Sequence, residues 1–178
     1  MNEEENVDIW SVDECHFQQH GSRCVMWIPP EEKDPIVLQE PTRFHMSVFG
    51  AVNVGSGWLI HQMSETFNAV TFLDFLKILL SFRIDSKVIH LILDNRRYHH
   101  AKLLKPWLDE NKEEIVLDFL PPYSPQLNPI DRVWKQTRQK STHNRYFPTL
   151  SDLVQAVQVQ FSRWSQPNAT LVKLCTIS

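Results

Sequence analysis

The spacing of apolar and polar positions changes along this chain, and the changes mark out its elements. Residues 7–13 (VDIWSVD) alternate and finish on an acid, the period of a half-buried strand. A second strand is expected at residues 23–28 (RCVMWI), ahead of a loop at 29–35 whose three prolines remove backbone donors and hold φ. Residues 44–54 (FHMSVFGAVNV) predict a third strand. Gly55-Ser56-Gly57 then turns the chain into a returning partner at 58–63. From residue 68 to 82 the spacing becomes helical. Val70, Phe72, Leu73, Phe75, Leu76, Leu79 and Leu80 leave that helix little polar surface, so most of it should be buried.

The run at 88–93 (VIHLIL) stops on Asp94 and reads as a buried central strand. A helix is expected at 100–111, a strand at 115–120 (IVLDFL), a helix from Pro129, and a last helix at 150–164 capped near Thr149 or Ser151. Antiparallel strands followed by alternating helices and strands indicate an α/β fold, a mixed sheet flanked by helices. At 178 residues the chain fits one domain, residues 1–178, large enough to bury a core.

Composition narrows the function classes. No apolar run approaches the roughly 20 residues of a membrane span. The acidic start is not a signal peptide. Three widely spaced cysteines do not make a disulfide framework. A cytoplasmic location is therefore expected. A net charge of −3 argues against a protein that coats DNA. It leaves room for a nuclease, because carboxylates that hold cations add negative charge which the bound ions reverse.

Acids at three places along the chain stand out. Asp13 and Glu14 close the first strand, where neighbours face opposite sides. Only one can serve a given site, and the other is expected to be a solvated surface acid; a plain alternative leaves both exposed. Asp94 ends an apolar strand at its C-terminal edge, where open α/β sheets bind ligands. Asn95 adds an amide there, and Arg96, Arg97, His99, His100 and Lys102 follow as a basic cluster suited to phosphate. The plain alternative is an Asx-capped strand end with a solvated basic helix behind it. Asp131 follows a proline-rich stretch. There Asn128 is a candidate N-cap and Pro129 falls on the first helical position. Asp131 is either a capping-box acid bonded back to Asn128 or a carboxylate aimed at a metal. Helical spacing puts Asp131, Lys135 and Arg138 on one face and Ile130, Val133, Trp134 and Thr137 on or near the other. Asp131 and Lys135 could also pair at the surface.

Taken together, Val12-Asp13-Glu14, Leu93-Asp94-Asn95 with His99, and the run from Leu120 through Asn128-Pro129-Ile130-Asp131-Arg132-Val133-Trp134 resemble the DDE/DDD transposase superfamily, in particular mariner-like transposases of bacterial insertion sequences. The resemblance extends from about Trp10 to Trp164. It implies a ribonuclease H-like fold and metal-dependent DNA cleavage followed by strand transfer, with Asp13, Asp94 and Asp131 as catalytic and metal-binding acids. Asn95, His99 and Asn128 would support them, and Arg132, Lys135, Arg138 and Lys140 would hold DNA phosphates. Two Mg²⁺ ions are implied, with Mn²⁺ able to substitute. The implied partners are transposon-end and target DNA, within a homodimer or an assembly with a chain carrying a helix-turn-helix. Such transposases carry a helix-turn-helix region ahead of the catalytic strands, and none precedes the first strand here. That departure leaves a second reading open: a truncated or domesticated remnant acting by dimerisation or regulation. Two rivals are weak. Cys15, His16, His20 and Cys24 lack a close Cys-x-x-Cys pair for zinc, and Gly55-Ser56-Gly57 has no nucleophile-elbow pattern.

Overall fold

Alternation along the first strand decides which helices cover which face of the sheet. In the computed structural model, which describes residues 6–22, 24–25, 28–31, 36, 38, 41–84, 86–122 and 124–176, β1 spans Val7–Gln18. Trp10 and Val12 are buried on one face, Cys15 and Phe17 on the other. The strand therefore does not end at Asp13, as alternation suggested. β2 (His45–Asn53) pairs antiparallel along it from Trp10↔Asn53 to Gln18↔His45, so both acids sit mid-strand with their backbones in a ladder. A neighbouring strand, not the local pattern, sets that length.

β3 (Leu59–Met63) returns antiparallel on β2. β4 (Val88–Leu93) runs parallel to β1, and β5 (Ile115–Phe119) runs parallel to β4. The five-stranded order is β3-β2-β1-β4-β5, the mixed sheet expected. The strand anticipated at 23–28 does not form at its described residues. Cys24, Val25 and Ile28 are outside any strand, and Arg23, Met26 and Trp27 lie outside the described residues, as do residues 32–35 of the proline loop. With β2 and β4 already flanking β1, no β1 edge is left for it.

α1 (Ala69–Ser81) starts at Asn68, whose side chain accepts from the backbone N–H groups of Val70 and Thr71. Phe72, Phe75, Leu76 and Leu79 press it onto the face carrying Trp10, Phe49 and Leu91. The helix anticipated at 100–111 breaks up into 3₁₀ turns at Arg97–His100 and Lys102–Leu104 and a short α2 (Lys105–Glu110). Ala101 is extended between the turns, and Pro106 sits in the first turn of α2, where its missing N–H does no harm. The opposite face is covered by α3 (Pro129–Ser141), α4 (Leu150–Ser162) and α5 (Ala169–Cys175). Ile130, Val133, Trp134, Leu153, Phe161 and Leu171 supply that second core. Thr149 caps α4 in a capping box with Asp152. α5 was not anticipated; Asn168 starts it afresh beyond Pro167. Among the described residues no helix is long and apolar enough to cross a membrane.

Candidate active site

Sheet register brings the first two acids together. β1 and β4 pair in parallel up to Ser11↔Ile92. Carried two residues further, that register sets Asp13 beside Asp94, on neighbouring strands spaced about 4.8 Å apart. Both follow the face that α3 covers. Asp94 leaves the sheet at the C-terminal edge of β4, as the apolar run ending on an acid suggested.

The third acid arrives through a junction between α3 and β1. Ser11 is fully buried on β1. Its hydroxyl donates to Asn128 Oδ1 and accepts from the Ile130 N–H at 3.2 Å, and Asn128 Nδ2 donates to the Val12 carbonyl at 3.0 Å. Asn128 is the N-cap residue by position, but its side chain makes no cap bond. Instead it staples the start of the helix to the strand carrying Asp13, and Ser11 serves the helix N–H in its place. Asp131 does not bond back to Asn128 as a capping-box acid would; its own N–H donates to the Asn128 carbonyl at 3.2 Å. Nor does it pair with Lys135 among the described residues. On the same helix Trp134 Nε1 donates to Asp13 Oδ2 at 3.2 Å.

Asp13, Asp94 and Asp131 line one open cleft of about 430 Å³, together with Asn95, Arg96, Pro121, Pro122 and Asn128. Burial pushes the Asp13 carboxyl well above its usual range, and the charges of Glu14 and Asp131 raise it further. Burial also raises Asp131; the Asp94 charge adds to this, while the nearby Asp13 carboxyl and the Arg138 charge oppose it. Acids held together against their own repulsion and desolvation call for a cation. The donors are all oxygen, which suits a hard ion such as Mg²⁺. Among the described residues no three metal-ligating side chains are drawn in tightly enough to close on one ion.

Residues 8–154 match the model of the DDE superfamily endonucleases. The chain belongs to this family. The insertion element IS630 uncharacterized 39 kDa protein of Shigella sonnei is 28% identical over 109 residues, covering 61% of this chain and 32% of that protein. Among solved structures, the Mos1 transposase paired-end complex with left transposon end superposes with a TM-score of 0.68 at 17% identity, covering 94% of this chain and 51% of the other. The catalytic domain of Mos1 mariner transposase gives 0.59 at 14%, covering 94% and 74%. The chain thus spans about a third of the Shigella protein and about half of the Mos1 chain in the complex. These likenesses establish the ribonuclease H-like fold.

On the other face of β1 the chain hides a fourth carboxylate. Glu14 is not the solvated acid that alternation suggested; its side chain is 1% exposed. His99 Nε2 lies 3.1 Å from Glu14 Oε1, and His99 Nδ1 lies 3.1 Å from the Asp94 carbonyl. Burial pushes the Glu14 carboxyl up, but the hydrogen bond with His99, the neighbouring Tyr98 hydroxyl and the Arg96 charge outweigh it, so the net shift is downward. Arg96 Nε stands 3.1 Å from Glu14 Oε2 and 3.2 Å from Asp94 Oδ2. Asn95 Nδ2 donates to the Leu120 carbonyl and ties the β4 exit to the strap leaving β5.

The four expected phosphate contacts divide. Lys135 and Lys140 are exposed on the outer face of α3. Arg132 turns inward, with Nη2 donating to the Cys175 carbonyl at 3.3 Å. Arg138 donates to Cys15 Sγ at 2.9 Å and lies 5.6 Å above the Phe17 ring. The zinc group does not assemble: Cys15 meets Arg138, while Cys24 Sγ meets His143 Nδ1 at 3.1 Å.

Three contributors escaped the sequence reading. Ser11 carried no signal, and Glu14 stood out only as an acid beside Asp13, because the partners of both are distant in sequence. Helical spacing accounts for Trp134 only as part of the apolar face. Gly50 could have pointed to it, since a glycine inside a strand often marks a close approach. Gly50 pairs with Asp13 across β1 and β2, and a Cβ there would sit 2.2 Å from the Trp134 ring.

Proposed function

We propose that the chain is the catalytic domain of a transposase, which cleaves DNA and transfers the freed 3′ end to a target, moving an insertion sequence. The observation that carries this reading is the shared cleft of Asp13, Asp94 and Asp131 in a DDE family member. Asp13 and Asp94 would flank two Mg²⁺ ions, with Asp131 completing the second and Mn²⁺ able to substitute. Such a pair of ions, when bound, activates the attacking hydroxyl and stabilises the leaving oxygen at phosphorus.

The residues of the chain supply binding and orientation. Trp134 holds one oxygen of Asp13, and the Ser11–Asn128 junction sets the height of Asp131 above it. Lys135 and Lys140 would take DNA phosphates along α3, giving affinity that falls with salt. Arg138 would add its remaining N–H groups, and Arg132 would act mainly by holding α5. Residues 1–178 would work as one domain in the cytoplasm, on transposon-end and target DNA. The partner would be a second copy or a chain bearing a helix-turn-helix.

Nicking of supercoiled plasmid with Mg²⁺ tests the reading. Asp131→Asn keeps the shape and removes the charge, so cleavage should fall to background while thermal melting stays near that of the parent. Cleavage by Asp131→Asn at the parent rate would end the three-carboxylate mechanism.

A further inference from the structure

We infer that Glu14 and His99 form a positioning clamp that holds Asp94 in register with Asp13. The inference rests on reading Asp13, Asp94 and Asp131 as a cation site. Glu14 and His99 each have side chains only 1% exposed, whereas the Asp94 side chain is 40% exposed. Burying a carboxylate is costly unless it is paired and hydrogen-bonded, so this pair is an expensive feature of the core.

The geometry indicates what it does. Glu14 directly follows Asp13 on β1, so its backbone moves with the first acid. His99 lies on the 3₁₀ turn that follows Asp94. Its ring spans the two: Nε2 is 3.1 Å from Glu14 Oε1, and Nδ1 is 3.1 Å from both the carbonyl and Oδ1 of Asp94. Phe72 and Tyr98 lie against the ring with centroids at 4.4 and 4.5 Å, which fixes its plane. Arg96 closes the same loop between Glu14 Oε2 and Asp94 Oδ2. The two acids facing the cleft are thus joined beneath the sheet by a side-chain link, beyond the point where the β1–β4 ladder ends at Ser11 and Ile92. Partners behind a metal ligand orient it and tune its affinity.

Mn²⁺ binding to the DNA-free chain, measured by the paramagnetic signal of the free ion, tests the clamp without any turnover. Asp94→Asn should abolish binding. Glu14→Gln and His99→Gln should each weaken it by about 10- to 100-fold, the range for such supporting partners. Because both variants break one link, the double variant should be no weaker than the worse single. Thermal melting of each variant separates this from a merely structural role, which would lower the melting temperature and leave the affinity of the folded protein unchanged. Parent-like affinity in Glu14→Gln and His99→Gln, with Asp94→Asn still losing the ion, would overturn the clamp and leave the cation site standing. Additive losses in the double variant would overturn the single link. Equal affinity in the parent and Asp94→Asn would overturn the cation site and the clamp with it.

Discussion

Asp13 and Glu14 are consecutive on one strand, both acids and both largely shielded from water, yet their surroundings treat them in opposite ways. Glu14 faces the α1 side, where His99, Tyr98 and Arg96 meet its charge and lower its pKa. Asp13 faces the α3 side, where burial and neighbouring acids raise it and Trp134 donates a neutral N–H. A buried carboxylate supplied with cationic or donor partners behaves as part of the framework. One surrounded by other carboxylates keeps an unmet demand for positive charge. The strand's period of two, acting on adjacent acids, separates a paired charge from one that faces the cleft by a single residue.

The largest test of this contrast is stability in chelator. Glu14→Ala leaves His99 and Arg96 without their buried acceptor and should cost about 3–5 kcal/mol, the range for breaking a buried pair. Asp13→Asn should do the reverse and raise the melting temperature at neutral pH, by removing a repelled charge. The pH dependence follows from the signs. Glu14 has a lowered pKa, so its contribution is present above its ordinary value of 4.5 and is lost as pH falls through the lowered one. Asp13 has a raised pKa, so its contribution is present below its ordinary value of 3.8 and is lost as pH rises through the raised one. The advantage of Asp13→Asn should therefore vanish in acid and grow toward neutrality. Melting curves at several pH values would show it, and a variant less stable than the parent at neutral pH would break the comparison.

A smaller effect probes the Asp13 side alone. Gly50→Ala puts a methyl group into the Trp134 ring and should destabilise by about 1–3 kcal/mol, as overpacking does. It should also move the indole off Asp13, visible as a change in Trp fluorescence. Denaturant melts with parent-like midpoints would mean that the sheet gives way at no cost. The smallest effect concerns DNA. Lys135→Ala should lower the salt slope of DNA binding by about 0.9 for one lost phosphate contact, with no change in melting. Arg138→Ala should change melting as well, because its guanidinium packs over Phe17 and bonds Cys15. Equal melting of the two variants would show that Arg138 is held more loosely than its contacts indicate.

Much of the framework was legible from local pattern. Apolar spacing located β2, β3, β4, β5 and α1 within a residue or two, because period and burial are properties of neighbouring residues. Asn128-Pro129 marked the start of α3, and the apolar run before Asp94 marked a strand edge. The opposite facing of Asp13 and Glu14 also followed from sequence. Local pattern misplaced what depends on distant partners: the length of β1, the strand that the described residues 24, 25 and 28 do not form, the broken helix after Arg97, and α5. The choice of Asp13, Asp94 and Asp131 as candidate acids was determined by the sequence alone. Tertiary structure decided the β1–β4 register that aligns Asp13 with Asp94, the use of Asn128 as a staple rather than a cap, and the burial of Glu14 against His99. The physical reason is range. Periodicity acts between residues a few positions apart, whereas register and charge pairing join groups separated by tens of residues or more, and only the packed sheet brings those groups within hydrogen-bonding reach.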